Sequence, residues 1–149
     1  MLRIPKLVGL LPFVSALALS SVCGNSVAFG QTASHEQLDR SLDKATERGS
    51  FRVSLRSLSD PIPMNRIHSW AIRLSDRNGQ ALSGATIRFA GGMPAHRHGF
   101  PTEPRIIAGR APGEYLLQGL RFSMPGWWEI RLAVEAGGRV DGVVFNVVL

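Results

Sequence analysis

Thiol chemistry is almost missing from this sequence, whose 149 residues hold one cysteine, Cys23, inside the most apolar stretch near the N-terminus. Arg3 and Lys6 precede an apolar run from Leu7 to Leu19, and Ala28-Phe29-Gly30 then has the small-x-small form of a signal-peptidase site. Residues 1–30 therefore read as an export signal, and the remaining chain as periplasmic. Without that signal the chain is 119 residues long, with 15 basic against 11 acidic residues, a net charge of +4 in place of +6, and no cysteine. A disulfide scaffold, a thiolate zinc site, a cysteine nucleophile and a redox dithiol are excluded from such a chain. A long hydrophobic run is lacking too. The 13 apolar-rich residues from Leu7 to Leu19, broken by Gly9 and Pro12, fall short of the ~20 a spanning helix needs, so no stable membrane span is expected in the mature chain. Two other fates of this segment are an uncleaved N-terminal anchor and a lipid on Cys23. The second normally takes a small residue just before the cysteine, where Val22 stands.

Lysine is the next scarcity: of the 15 basic residues beyond position 30, 14 are arginine and only Lys44 is lysine. They are spaced singly, with no dense basic run, recognition-helix pattern or aromatic platform, so nucleic acid is not an expected partner. Catalytic motifs are missing as well. There is no Gly-x-Ser-x-Gly elbow, no His-Glu-x-x-His, no phosphate-cradling glycine loop and no close carboxylate pair, and the chain reads as a binder rather than an enzyme.

What is present is a period of two. Residues 31–50 come first as a polar leader, in which Ser34 to Arg48 is expected to form one short helix with Ser34 as N-cap and Leu38, Leu42 and Ala45 as a thin apolar stripe. His35 lies in this leader and is given no role. From Phe51 to Leu58 apolar and polar residues alternate, as in a half-buried strand. Ile67 to Leu74 puts His68, Trp70, Ile72 and Leu74 on one face, and Asp76-Arg77-Asn78-Gly79 turns the chain into a strand from Gly84 to Ala90. Further strands are expected at Arg105 to Ala108, from Tyr115 to near Leu120, at Trp127 to Glu135 and at Arg139 to Leu149, with a long loop over Gly91 to Pro104. About seven short strands with regular turns predict an all-β fold, an immunoglobulin-like antiparallel β-sandwich over residues 51–149, with a small barrel as the alternative. Tyr115 after Gly113-Glu114 fits a corner at which the ring packs inward and the hydroxyl bonds backbone.

Soft-metal donors concentrate in one place, Met93-Pro94-Ala95-His96-Arg97-His98-Gly99. In an extended segment His96 and His98 project to one side, roughly 6–7 Å apart at the backbone, with Arg97 turned away. Pro94 sets a bend that brings the Met93 thioether alongside. Imidazole suits copper, zinc, iron and nickel, thioether favours Cu(I), and the missing carboxylates disfavour calcium and magnesium, so copper is the ion of choice. The competing reading has Met93 plugging the end of the sandwich and both histidines on a wet loop. Met124, beside the Pro125-Gly126 turn, is a more distant ligand candidate or a core gap-filler. His68 is a further candidate ligand, or a hydrogen-bonded histidine at the core margin. Trp128 belongs to the inward phase of its strand, which leaves Trp127 to cover a sheet edge, shield a site or receive a partner.

These motifs, taken with Gly84-Ala85-Thr86-Ile87, Gly113-Glu114-Tyr115 and Met124-Pro125-Gly126-Trp127-Trp128, resemble the exported YtkA-like and FixH-like domains from about Phe51 to Leu149. That family has a small envelope β-sandwich in which a Met-Pro-x-His loop is answered by a Met-Pro-Gly-x-Trp turn. The resemblance implies that Met93, His96, His98 and Met124 share one end of the sandwich. It also favours copper as cargo, since FixH-like members are associated with copper supply to, or assembly of, respiratory oxidases, while many YtkA-like members have no settled role. FixH-like proteins usually keep an N-terminal membrane helix, from which this chain departs. The functional expectation is a periplasmic copper carrier, buffer or metallochaperone that meets a copper-receiving envelope protein. A metal-free interaction module, docking through the same loop and Trp127, is the alternative.

Overall fold

The computed structural model describes residues 38–149, and the segment expected to be an export signal, Cys23 and His35 lie outside the described residues. Alternation of apolar and polar side chains builds nine strands: β1 (Asp43–Ala45), β2 (Phe51–Ser57), β3 (His68–Asp76), β4 (Thr86–Met93), β5 (His98–Gly99), β6 (Arg105–Ala108), β7 (Glu114–Leu120), β8 (Trp127–Ala136) and β9 (Arg139–Val148). They form two antiparallel sheets, one ordered β1-β2-β3-β7-β6 and the other β5-β4-β8-β9. The expected sandwich is present, and the two strands beyond the expected seven are the short β1 and β5.

The inward phase of each strand makes the core. Val53 and Leu55, then Trp70, Ile72 and Leu74, then Tyr115 and Leu117 face Trp128, Ile130, Leu132 and Val134 and the β9 residues Val143, Phe145 and Val147, all buried. Each such side chain removed from water contributes about 1.5–3 kcal/mol, and the two sheets can bury them only against one another. The Tyr115 hydroxyl donates to the Leu82 carbonyl at 2.8 Å and accepts the Ala85 N–H at 2.9 Å, the corner expected from Gly113-Glu114-Tyr115.

The helix expected over Ser34–Arg48 is not formed in its described part. Asp43, Lys44 and Ala45 pair with Ser54, Val53 and Arg52, and the Leu42 carbonyl takes the Leu55 N–H at 2.7 Å. A single thin apolar stripe gives a short helix little to bury, whereas the exposed edge of β2 offers a full set of backbone partners, so tertiary pairing overrides local propensity. The sheet therefore begins before Phe51.

The same segment ties the two sheets together. Asp141 stands in the inward phase of β9 and is buried, where its carboxylate accepts the Thr46 hydroxyl at 2.7 Å and the N–H groups of Ser50, Arg48 and Gly142. Burial alone would push its pKa up, but these hydrogen bonds outweigh that and hold it well below the usual carboxylate range.

Candidate metal centre

The Met/His loop is organised by the end of β4. Met93 lies directly opposite His98, and Gly92 opposite Gly99, in the β4–β5 pairing. Directly opposed residues of an antiparallel pair share a face, so the register sets the Met93 and His98 side chains side by side. Two glycines permit this close return of the chain. A Cβ on Gly92 would stand 2.2 Å from the His98 carbonyl oxygen, and one on Gly91 would stand 2.2 Å from that of Glu129.

Between the paired strands the chain is not the extended segment that the His-x-His spacing suggested. Pro94–His96 forms one turn of 3-10 helix, and Arg97 closes it in the left-handed conformation, φ 55 and ψ 34. This turn still brings the two imidazoles together, with ring centroids 5.9 Å apart and planes inclined at 32°. The His98 ring also meets Trp128 edge-on at 5.8 Å, and its Nδ1 lies 2.9 Å from the Gly99 carbonyl oxygen. A carbonyl only accepts, so this bond puts the proton on Nδ1 and leaves the Nε2 lone pair available.

Met93 is buried, and its methyl lies 3.0 Å from where a Cβ would stand on Gly126, in the Met124-Pro125-Gly126 turn. The two methionine motifs of the sequence thus meet. That turn is clamped to the end of the chain by reciprocal backbone bonds between Gly126 and Leu149, of 2.8 and 3.1 Å. The Trp128 indole N–H donates to the Met124 carbonyl at 3.1 Å, while the Met124 side chain is 38% exposed at the rim.

His68 is not brought to the loop. Its ring packs on Phe122 at 5.3 Å, Phe122 packs on Trp128 at 5.3 Å, and Trp128 in turn meets His98, so His68 stands at the far end of a run of rings. Its Nδ1–H donates to the Arg66 carbonyl at 3.0 Å. Trp127 is half-buried, with its indole N–H on Asn146 Oδ1 of β9 at 3.0 Å. Phe100 and Phe122 were not singled out by sequence reasoning. They fall in irregular segments without periodicity, yet Phe100 packs on Trp128 at 4.8 Å and on Phe122 at 5.6 Å and floors the whole end.

Among the described residues no group of three or more His, Cys, Asp or Glu converges on a point. The side-chain donors at this end are the paired imidazoles of His96 and His98, with the Met93 thioether buried and the Met124 thioether at the rim, residue types that suit monovalent copper better than a hard cation. A cleft of about 230 Å³ beside His98 is lined also by Arg97, which adds positive charge, and by Arg131, which is paired with Glu129.

No helix among the described residues is long and apolar enough to cross a membrane. No curated protein matches the chain. Among solved structures it is similar to one described as the ZirS C-terminal domain, at 9% identity and a TM-score of 0.43, over 98% of this chain and 88% of that one. The YtkA-like family model matches residues 49–133, a span that includes both methionine motifs and the His-x-His turn. The match covers more than half of the sequence, and the chain belongs to the YtkA-like family.

Proposed function

We propose that this protein is an exported copper carrier, buffer or metallochaperone, holding one Cu(I) on His96 and His98 with thioether support from Met93 and Met124. The observation that carries the reading is the imidazole pair, 5.9 Å between centroids with the His98 Nε2 lone pair available. Two imidazoles ligating one ion, with metal–nitrogen distances near 2 Å, separate their centroids by about 5–6 Å, a separation this pair already has. The Gly99 carbonyl orients His98, as backbone acceptors commonly orient ligating histidines.

Charge favours the lower oxidation state. The donor set holds no carboxylate, and the Arg97 guanidinium lines the adjacent cleft, which opposes a divalent ion more than a monovalent one. The rim position of Met124 suits a thioether that is exchanged during transfer to a copper-receiving envelope protein. No proton transfer or bond cleavage is required of any residue, so the role is binding and not catalysis.

Titration of the protein against a chromogenic Cu(I) chelator tests this. About one copper per chain is expected, with affinity falling at least about tenfold in His96→Ala/His98→Ala and less in Met93→Leu. Trp128 fluorescence, reporting from the edge of the His98 ring, should change with the same midpoint. Equal affinity of wild type and the double histidine variant overturns the reading.

A further inference from the structure

The outer face of the β1-β2-β3-β7-β6 sheet differs in charge from that of the other sheet. Arg52 and Arg56 of β2, Arg73 of β3 and Arg105 of β6 all occupy its outward phase, and Arg110 stands in the loop that follows β6. Asp43 takes Arg52 at 2.8 Å, and Glu114 takes Arg73 at 3.3 Å. Arg56, Arg105 and Arg110 have no ion pair among the described residues. On the outer face of the opposite sheet the charges cancel, with Arg88 on Glu135 and Arg131 on Glu129.

This basic face is also recessed. The loop of residues 109–113 stands over it, leaving a cleft of about 430 Å³ on one side and one of about 250 Å³ on the other, which meet at Arg73 and Glu114. The wall is fastened at several points. The Gly109 N–H donates to the Glu114 carbonyl at 2.7 Å, the Gly113 N–H to the Ser83 hydroxyl at 3.3 Å, and the Gly113 carbonyl accepts the Leu74 N–H at 2.8 Å. In the floor, the pairing registers set Arg56, Ala71, Leu116 and Ile107 in one row across the strands, and Ile107 is 48% exposed.

We propose that this trench binds an extended acidic segment of a partner protein, with alternate carboxylates on Arg56 and Arg110 and their aliphatic stems over Ala71 and Leu116. Guanidinium groups match carboxylates through paired hydrogen bonds, and those with no ion pair among the described residues are the ones open to do so. The apolar row between them accepts the methylene stems of the acidic side chains, and the residues between two acids point away from the floor. A flat anionic bilayer would meet the wall of residues 109–113 before it reached Arg56, whereas a single extended chain fits beside that wall. Because the wall is pinned in place, little ordering cost opposes binding. The site shares no residue with the Met/His loop, and it does not depend on copper.

The test uses a fluorescein-labelled alternating Glu-Ala peptide, read by anisotropy with a metal chelator present. Saturable binding is expected, weakening at higher salt, lost by at least about tenfold in Arg56→Gln/Arg110→Gln, and absent for the Gln-Ala counterpart. The Arg88→Gln variant, on the opposite face, should bind as wild type does. Absence of saturable binding, or equal loss in Arg88→Gln and in the double variant, overturns the proposal. So does binding only to phosphatidylglycerol vesicles that the double variant abolishes, since this makes the face a membrane surface. All three arginines are exposed, so retained thermal melting separates lost binding from lost folding.

Discussion

The two ends of the sandwich solve the problem of buried polar groups in opposite ways. At the Asp141 end a buried carboxylate is met by a hydroxyl and three backbone N–H groups, and its hydrogen bonds join the β1–β2 turn of one sheet to β9 of the other. At the Met/His end His68 Nε2, Trp70 Nε1, Thr102 Oγ1 and Arg121 Nε are buried with no hydrogen-bond partner among the described residues. Folded chains leave few such groups, because each one costs about 1–3 kcal/mol. One end is built for stability, and the other gives some up around a packed set of rings that supports exposed donor side chains.

The largest effect that would break this contrast is expected at Asp141. Asp141→Ala leaves the Thr46 hydroxyl and several N–H groups without their acceptor and should cost about 3–5 kcal/mol in urea unfolding. The same group sets an acid limit. Its folded-state pKa lies below the unfolded value of about 3.9, so the stability it contributes is complete above that value and is lost as pH falls below it toward the folded pKa. Wild-type stability should decline below about pH 4, and Asp141→Asn should flatten that decline. A loss under about 1 kcal/mol in Asp141→Ala would show that the two ends are equally tolerant.

A smaller effect is expected at the hinge of the other end. Gly92→Ala drives a methyl into the His98 carbonyl and should lift β5 from β4, costing about 1–3 kcal/mol and lowering copper affinity together with stability. The smallest effect sharpens the comparison most. His96→Ala/His98→Ala removes two exposed rings and should change unfolding free energy by no more than about 0.5 kcal/mol while abolishing tight copper binding. Thermal melts and chelator competition on one preparation read both quantities.

Much of the scaffold was legible because its signal is local. Phe51 to Ser57, His68 to Leu74 and Trp128 to Val134 alternate with period two, and each lies in a strand whose apolar phase is buried, while Leu58, expected in the first of them, lies beyond it and is exposed. The crossing of Met93-Pro94 with Met124-Pro125-Gly126 at one end was implied by family likeness, and the Met93 methyl lies against Gly126. The Ser34–Arg48 segment was misread because capping residues and a thin stripe speak only of a helix in isolation, while the unpaired edge of β2 lies far along the chain. Asp141 was overlooked although it left a signal. It is a lone carboxylate in the inward phase of Asp141, Val143, Phe145 and Val147, where only a fully hydrogen-bonded group is tolerated.

The sequence by itself determined the sandwich, the absence of thiol chemistry beyond residue 30, and the gathering of soft donors in one loop, because periodicity and composition act over neighbouring residues. Only the tertiary structure decided that a 3-10 turn, rather than an extended strand, brings His96 to His98. It also decided that His68 stands away from that loop, and that single arginines from separate strands collect along one trench. Those outcomes depend on which strands pair and in what register, and pairing is a contest among distant partners that no local pattern records.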